Sequence, residues 1–250
     1  MDSDTYIVLA ILVFILVSLL AYVLSVILYG EKKNERVERQ GGSLLLSKRL
    51  MHFGIWVLTP VVGGLYRCSV FPNTVTTSSI FFAALSGFCI SVGALGFASL
   101  FAILAGVTDV LDGMLARKIG KTDNSGIVYD SLVDRYVDFF LLAGCTVFFR
   151  ESILSLLLCL LALHGSFMIS YTTAKAEAMV LDIPRGAMKR TERYVYLLVG
   201  LMLTVFPVTW PKFLGLAMSP LFVAIFLIAV LANWSAVIRF RALFLKAKCS

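Results

Sequence analysis

Apolar runs of about 20 residues recur along the chain, separated by short polar breaks. They predict membrane-spanning helices over residues 6–29, 74–94, 97–118, 127–149, 153–178, 192–209 and 217–240. Residues 44–67 break the pattern by mixing apolar groups with Lys48, Arg49, His52 and Arg67. Such a mixture predicts an amphipathic helix lying in the membrane interface, interrupted at Pro60 and Gly63-Gly64. A charged linker from Glu31 to Arg39, ending at Gly41-Gly42, precedes it and is too short to fold alone. The expected fold is therefore all-α and integral to the membrane. It has a six-helix transmembrane core, an extra N-terminal transmembrane helix and an interfacial amphipathic helix. The expected divisions are residues 1–30 (N-terminal anchor), 31–71 (linker and interfacial helix), 72–240 (six-span core) and 241–250 (basic tail).

Composition agrees. Of 250 residues, 60% are hydrophobic and 15% charged, far from the quarter charged of a soluble domain. The net charge is +7, but the cations flank the spans and build no separate basic domain, so nucleic acid is not an expected partner. With the N-terminus outside, every lysine and arginine but Arg150 and Lys212 falls on the cytoplasmic side. The five cysteines show no CxxC spacing and read as small packing residues.

Four aspartates stand out against this background. Asp109 and Asp112 close the third span, and Asp130 and Asp134 open the fourth. Carboxylates beside apolar helix are costly, and an ionisable residue there is a functional-site hypothesis. On a helix, Asp109, Asp112, Gly113 and Ala116 share one face, and Asp130 and Asp134 are i, i+4 on the next. A hairpin of the two spans brings both pairs together, with Gly126 allowing close approach and Arg117 offering a fork to phosphate. So many acids repel one another unless a multivalent cation is present, and hard oxygen donors suit Mg²⁺, Mn²⁺ or Ca²⁺. Such a cage can hold one or two divalent ions against a pyrophosphate at the level of the lipid headgroups.

The stretch from Asp109 to Asp134 reads DxxDGxxAR-x8-GxxxDxxxD, with every specified position present. It resembles the signature of the CDP-alcohol phosphotransferase family. The resemblance covers about residues 72–240, with Pro72-Asn73-x-x-Thr76 similar to the family's usual entry to its first core helix. It implies transfer of a phosphoalcohol moiety from a CDP-linked lipid to an acceptor hydroxyl, with release of CMP. It implies that Asp109, Asp112 and Asp130 bind metal, Mg²⁺ or Mn²⁺ and two ions per site. Asp134 would touch metal and take the proton of the attacking hydroxyl. Gly113, Ala116 and Arg117 would line the nucleotide and diphosphate site together with Asp109, Asp112 and Gly126. Asn73 and Thr76 either contact the nucleotide too or cap the second span. The resemblance also implies a homodimer.

Two features narrow the acceptor. Asp130-Ser-Leu-Val-Asp134-Arg135 looks like the pattern of the inositol-type members, the phosphatidylinositol-phosphate synthases among them. Ser170-Tyr171-Thr-Thr-Ala-Lys175-Ala-Glu177, followed by Gly186-Ala-Met-Lys-Arg190-Thr-Glu192-Arg193, resembles that branch as well, with Lys175 and Thr173 departing from its usual residues. Lys175, Arg193 and Arg239 sit at cytoplasmic helix ends. They could form a cationic pocket for a phosphorylated acceptor such as inositol 1-phosphate, or serve as anchors snorkelling to headgroups. Glycerol 3-phosphate, inositol or serine are the alternative acceptors. A membrane cation transporter or channel is the alternative class, and no ionisable ladder crosses any span to favour it. Asp138 is read as structural, pairing with Arg135 or backing the metal site. Glu177 is a candidate partner for Lys175 or Arg193, and His164 is expected to be packed or hydrogen-bonded between helices.

Overall fold

The structure is a computed structural model, and it describes residues 2–30, 48–120, 124–184, 186, 188–213 and 216–249. The charged linker, the start of the expected interfacial segment and Asp123 lie outside these residues. Among the described residues there are eight helices: α1 (Ser3–Tyr29), α2 (Lys48–Arg67), α3 (Pro72–Ser91), α4 (Leu95–Ile119), α5 (Asn124–Phe148), α6 (Ile153–Ala178), α7 (Arg190–Thr204) and α8 (Pro220–Cys249). A two-residue antiparallel ladder, β1 (Lys212–Phe213) with β2 (Leu216–Ala217), joins α7 to α8. The protein is thus an all-α membrane protein, with α3 to α8 as the six-helix bundle.

Five helices, α1, α3, α4, α6 and α8, are long and apolar enough to cross a bilayer. Two core helices are not. The 25-residue α5 has the length, but Asp130, Asp134, Arg135 and Asp138 sit in its first half. The 15 residues of α7 rise only about 22 Å, short of a hydrocarbon core of about 30 Å. The sixth span, expected over 192–209, therefore ends early at Thr204, where the Thr204 hydroxyl accepts from the Leu221 N–H and ties α7 to the start of α8.

The interfacial segment is also more regular than expected. Helix α2 runs through Pro60 and Gly63-Gly64 without a break. Proline removes one backbone donor and strains the preceding turn, and an exposed surface helix can bear that better than a buried one. One side of α2 packs Leu58, Val62 and Leu65 against Leu111 and Leu115 of α4 and Val75 of α3.

Close backbone approach holds α3 to α5. A side chain at Gly87 would collide with the backbone of Phe140, and one at Gly144 would meet the Gly87 Cα at 2.7 Å. These are the positions where small residues let the two helices touch. Gly126, expected to allow close approach of α4 and α5, lies half-buried in the first turn of α5. Helices α6 and α8 are joined mid-span by a polar clamp. His164 Nδ1 lies 3.0 Å from Asn233 Oδ1, and Asn233 Nδ2 donates to the carbonyls of Leu161 and Ala229 at 2.8 Å each. Of the two arrangements expected for His164, packing or an interhelical hydrogen bond, the hydrogen bond is present. Cys145 and Cys159 are buried free thiols, in keeping with a packing role.

Candidate active site

One end of the bundle collects the C-termini of α4, α6 and α8 and the N-termini of α3, α5 and α7. Gly120 terminates α4 in the left-handed conformation (φ 76°), its N–H bonding back to Ala116 and Arg117. Asp109 and Asp112 near the end of α4 stand close to Asp130 and Asp134 of α5. On α7, the buried Glu192 accepts the Lys189 N–H at 2.9 Å and fixes the first turn, from which Arg190 and Arg193 project at i, i+3.

Asp109, Asp130 and Asp134 form a triangle, each offering a carboxylate oxygen within 4.8 Å of the others. Two unscreened charges at that separation repel by about 3–4 kcal/mol at a near-surface dielectric. Arg190 enters this triangle. Its Nη1 donates to Asp109 Oδ1 and Oδ2 at 3.1 and 3.3 Å and stands 2.6 Å from Asp134 Oδ1. Its Nε reaches to 4.0 Å from Asp138. One guanidinium does not balance three carboxylates, and Asp134 Oδ1, for all its closeness to Arg190, has no aligned hydrogen bond. Asp112 lies outside the triangle, near enough to Asp109 and Asp130 to feel their charge. It is buried, faces the Thr76 hydroxyl, and keeps its Oδ2 without a hydrogen-bond partner. Orphaned buried carboxylate oxygens in an all-oxygen donor set fit a hard divalent cation. The residues that would hold it are Asp109, Asp130 and Asp134, with Asp112 beside them.

The expected nucleotide residues surround this cluster unevenly. The Arg117 guanidinium folds back along α4, 3.2 Å from where a side chain on Gly113 would begin, so Gly113 keeps a shallow shelf open beneath it. Ala116 is half-buried one turn further on. Thr76 is buried and also donates to the Pro72 carbonyl at 3.1 Å. Asn73 is exposed and does not cap α3, whose N-cap is Phe71 with no side-chain bond. The Thr77 hydroxyl, one residue on, meets the Tyr129 hydroxyl at 2.7 Å and ties α3 to α5.

The expected cationic pocket is brought together in part. Arg193 on α7 and Arg239 on α8 stand close enough to repel each other, and Arg239 Nη1 donates to Thr173 Oγ1 of α6 at 2.5 Å. Arg193 Nη1, Arg239 Nε and the Ser235 hydroxyl are buried without hydrogen-bond partners. Gly186 lies against them, for a side chain there would strike Ser235 and come within 3.1 Å of Arg239 Nε. Lys175, in contrast, is exposed near the end of α6, and the described contacts do not join it to the two arginines. The partner of Arg193 is Asp138, at 3.0 Å, rather than Glu177. Asp138 accordingly pairs across helices with Arg193 and Arg190, whereas Arg135 donates to the Ser131 carbonyl of its own helix. Of the two readings for Asp138, the pairing with Arg135 within α5 is replaced by one across the bundle, since two α7 guanidiniums reach it.

Arg190 lies in the Gly186–Arg193 stretch of the sequence pattern, which gives it no role at the site. Its signal was present: Arg190 and Arg193 are one helical turn apart, as Asp134 and Asp138 are on α5, so the two rows can face each other.

An acidic, metal-fitting centre beside a cationic recess, at one end of a transmembrane bundle, defines a membrane enzyme acting on phosphate groups. The chain belongs to the CDP-alcohol phosphatidyltransferase family, whose model it matches over residues 69–245. It is 31% identical over 152 residues to the phosphatidylinositol phosphate synthase of Cutibacterium acnes, covering 59% of this chain and 73% of that protein. Its fold is similar to that of Mycobacterium tuberculosis phosphatidylinositol phosphate synthase with CDP-DAG bound, at a TM-score of 0.67 and 26% identity over 75% of this chain and 94% of the other. The same mycobacterial enzyme in complex with manganese and citrate matches at a TM-score of 0.66 and 26% identity, over 74% and 88% of the two chains. The protein is thus a metal-dependent membrane transferase of phospholipid biosynthesis, moving a phosphoalcohol group from a CDP-linked lipid to an acceptor hydroxyl.

Proposed function

We propose that the donor is CDP-diacylglycerol and the acceptor inositol 1-phosphate, so that the product is phosphatidylinositol phosphate. One observation carries the choice of acceptor: the buried Arg193 and the half-buried Arg239 each hold a buried N–H group without a hydrogen-bond partner near the carboxylate cluster. Guanidiniums with free donors suit a phosphate carried by the acceptor, which free inositol or serine lacks. The names of the relatives point the same way.

Two divalent ions, Mg²⁺ or Mn²⁺, when bound at the aspartates, would supply charge neutralisation to the diphosphate. Arg117 and the shelf at Gly113 and Ala116 receive the nucleotide and diphosphate. The acceptor oxygen attacks the phosphorus that carries the lipid, the bond from that phosphorus to CMP breaks, and CMP leaves with the bridging oxygen. Asp134 takes the hydroxyl proton. Its desolvation among other acids makes it a better base than an exposed carboxylate. For this its contact with Arg190 has to give way to the acceptor hydroxyl, which leaves the Arg190 guanidinium available to the acceptor phosphate. The distribution of lysine and arginine supports an N-terminus outside and an active site facing the cytoplasm. Family membership supports a homodimer.

Purified full-length protein with labelled CDP-diacylglycerol and a panel of acceptors tests the assignment. Inositol 1-phosphate should give the largest kcat/KM for CMP release. Turnover of glycerol 3-phosphate without turnover of inositol phosphate would overturn the acceptor and leave the chemistry standing.

A further inference from the structure

A cavity lies away from the aspartates. It is a groove of about 840 Å³ between the C-terminal half of α1 and the first part of α2, lined mainly by apolar groups such as Val17, Ala21, Ile55, Trp56 and Pro60. Helix α1 is anchored at its other end, where Thr5 and Val8 are buried and the Asp4 backbone presses on Gly96 at the start of α4. Nearer the groove, Tyr22 holds α1 to α2 through the rings of Phe53 and Trp56, each 5.6 Å away between centroids.

Two observations say what fills it. The face of α2 that lines the groove, with Ile55 and Thr59, continues by one turn to Gly63, where Lys118 Nζ lies 3.8 Å from the place a side chain would begin. Lys118 follows Arg117, so the groove leads to cations at the diphosphate site. The neighbouring face of α2, with Leu58, Val62 and Leu65, packs on Leu111 and Leu115, which flank Asp112. From Ile55 to Gly63 helix α2 rises about 12 Å. One leaflet's acyl chains span about 15 Å, so a chain in the groove and a phosphate at the aspartates can belong to one molecule.

We infer that this groove binds one acyl chain of the CDP-lipid donor. Helix α1, which lies outside the family-matched residues 69–245, then becomes part of the substrate site. The inference rests on the proposed donor.

Full-length protein in nanodiscs, with a CDP-lipid bearing a diazirine midway along its acyl chains, tests it by photolabelling. Label is expected on residues 17–30 and 52–60, competed by unlabelled CDP-dioleoylglycerol and not by phosphatidylcholine. Label confined to α3–α8 would overturn the inference. So would groove label displaced equally by phosphatidylcholine, which would make the groove a seat for a resident lipid. A kinetic arm uses Ala21→Trp to fill the groove. The ratio of kcat/KM for CDP-dioleoylglycerol to that for CDP-dioctanoylglycerol should fall about tenfold, at roughly fourfold per lost methylene contact. Val13→Trp, at an exposed position of α1 outside the groove, should leave that ratio alone. An unchanged ratio in Ala21→Trp counts against the groove. Label in the groove without CMP release from any acceptor would sink the donor chemistry and leave the groove assignment intact.

Discussion

Arg193 has two candidate duties, and a single substitution confuses them. Its Nη2 donates to Asp138 at 3.0 Å, with side-chain exposures of 6% and 13% for the pair. Its Nη1 is buried and unpartnered, free for an acceptor phosphate. Attraction at 3.0 Å amounts to about 5 kcal/mol at an effective dielectric of 20. Breaking a buried pair from one side costs about 3–5 kcal/mol, because the other charge stays behind. Arg190 Nε, 4.0 Å from Asp138, compensates part of this loss. Arg193→Gln should therefore destabilise by about 2–4 kcal/mol, read by reversible unfolding in mixed micelles. Adding Asp138→Asn removes the stranded carboxylate, and most of the stability should return. Activity should not return. A charge-assisted bond to phosphate is worth about 1.5–3 kcal/mol, so KM for inositol 1-phosphate should stay raised by about 10- to 150-fold in the double variant. A double variant with wild-type KM would refute this reasoning and reduce Arg193 to the counter-ion of Asp138.

Asp134→Asn should lower CMP release by about 100-fold or more while metal-dependent binding of CDP-lipid stays measurable in a titration; full activity in that variant would remove the proton-accepting role. Chelation with EDTA should stop CMP release, and added Mg²⁺ or Mn²⁺ should restore it; undiminished turnover in chelator would contradict the reading of the carboxylate triangle. Gly144→Ala places a methyl group against the Gly87 backbone and should cost about 1–3 kcal/mol of stability, so an unfolding midpoint equal to wild type would show that α3 and α5 part easily. Asn233→Leu removes the clamp to His164 and Leu161 and should cost about 1–2 kcal/mol with no change in KM for either substrate.

Several elements were legible without coordinates because their signals are local. The spans follow from runs of apolar residues, and the structure moves most of their ends by only a few residues. The pairing of Asp109 with Asp130 and Asp134 follows from two helical spacings joined by a short turn, and three of the four motif aspartates do converge. What was misread depended on neighbours distant in sequence. Asp138 was expected to pair with Arg135 in its own helix or to back the metal site, yet its charged partners lie on α7, 52 and 55 residues on. Lys175 was grouped with Arg193 and Arg239 because all three sit near helix ends. Position along a helix does not say which way a side chain faces, and Lys175 stands exposed. Pro60 looked like a break, but the cost of one missing donor was not enough to end a surface helix.

Hydropathy and spacing alone settle that this chain is a bundle in the membrane with an acidic motif at one end, because burial in lipid and helical periodicity act on nearby residues. Which cations neutralise those acids was decided only by the packing of the helices. Gly87 against Gly144 sets how close α3 and α5 lie, and the first turn of α7 carries Arg190 into the carboxylate triangle, 81 residues from Asp109 in the chain. Charge pairing between such distant groups depends on a few ångströms of helix placement, and no local pattern encodes that.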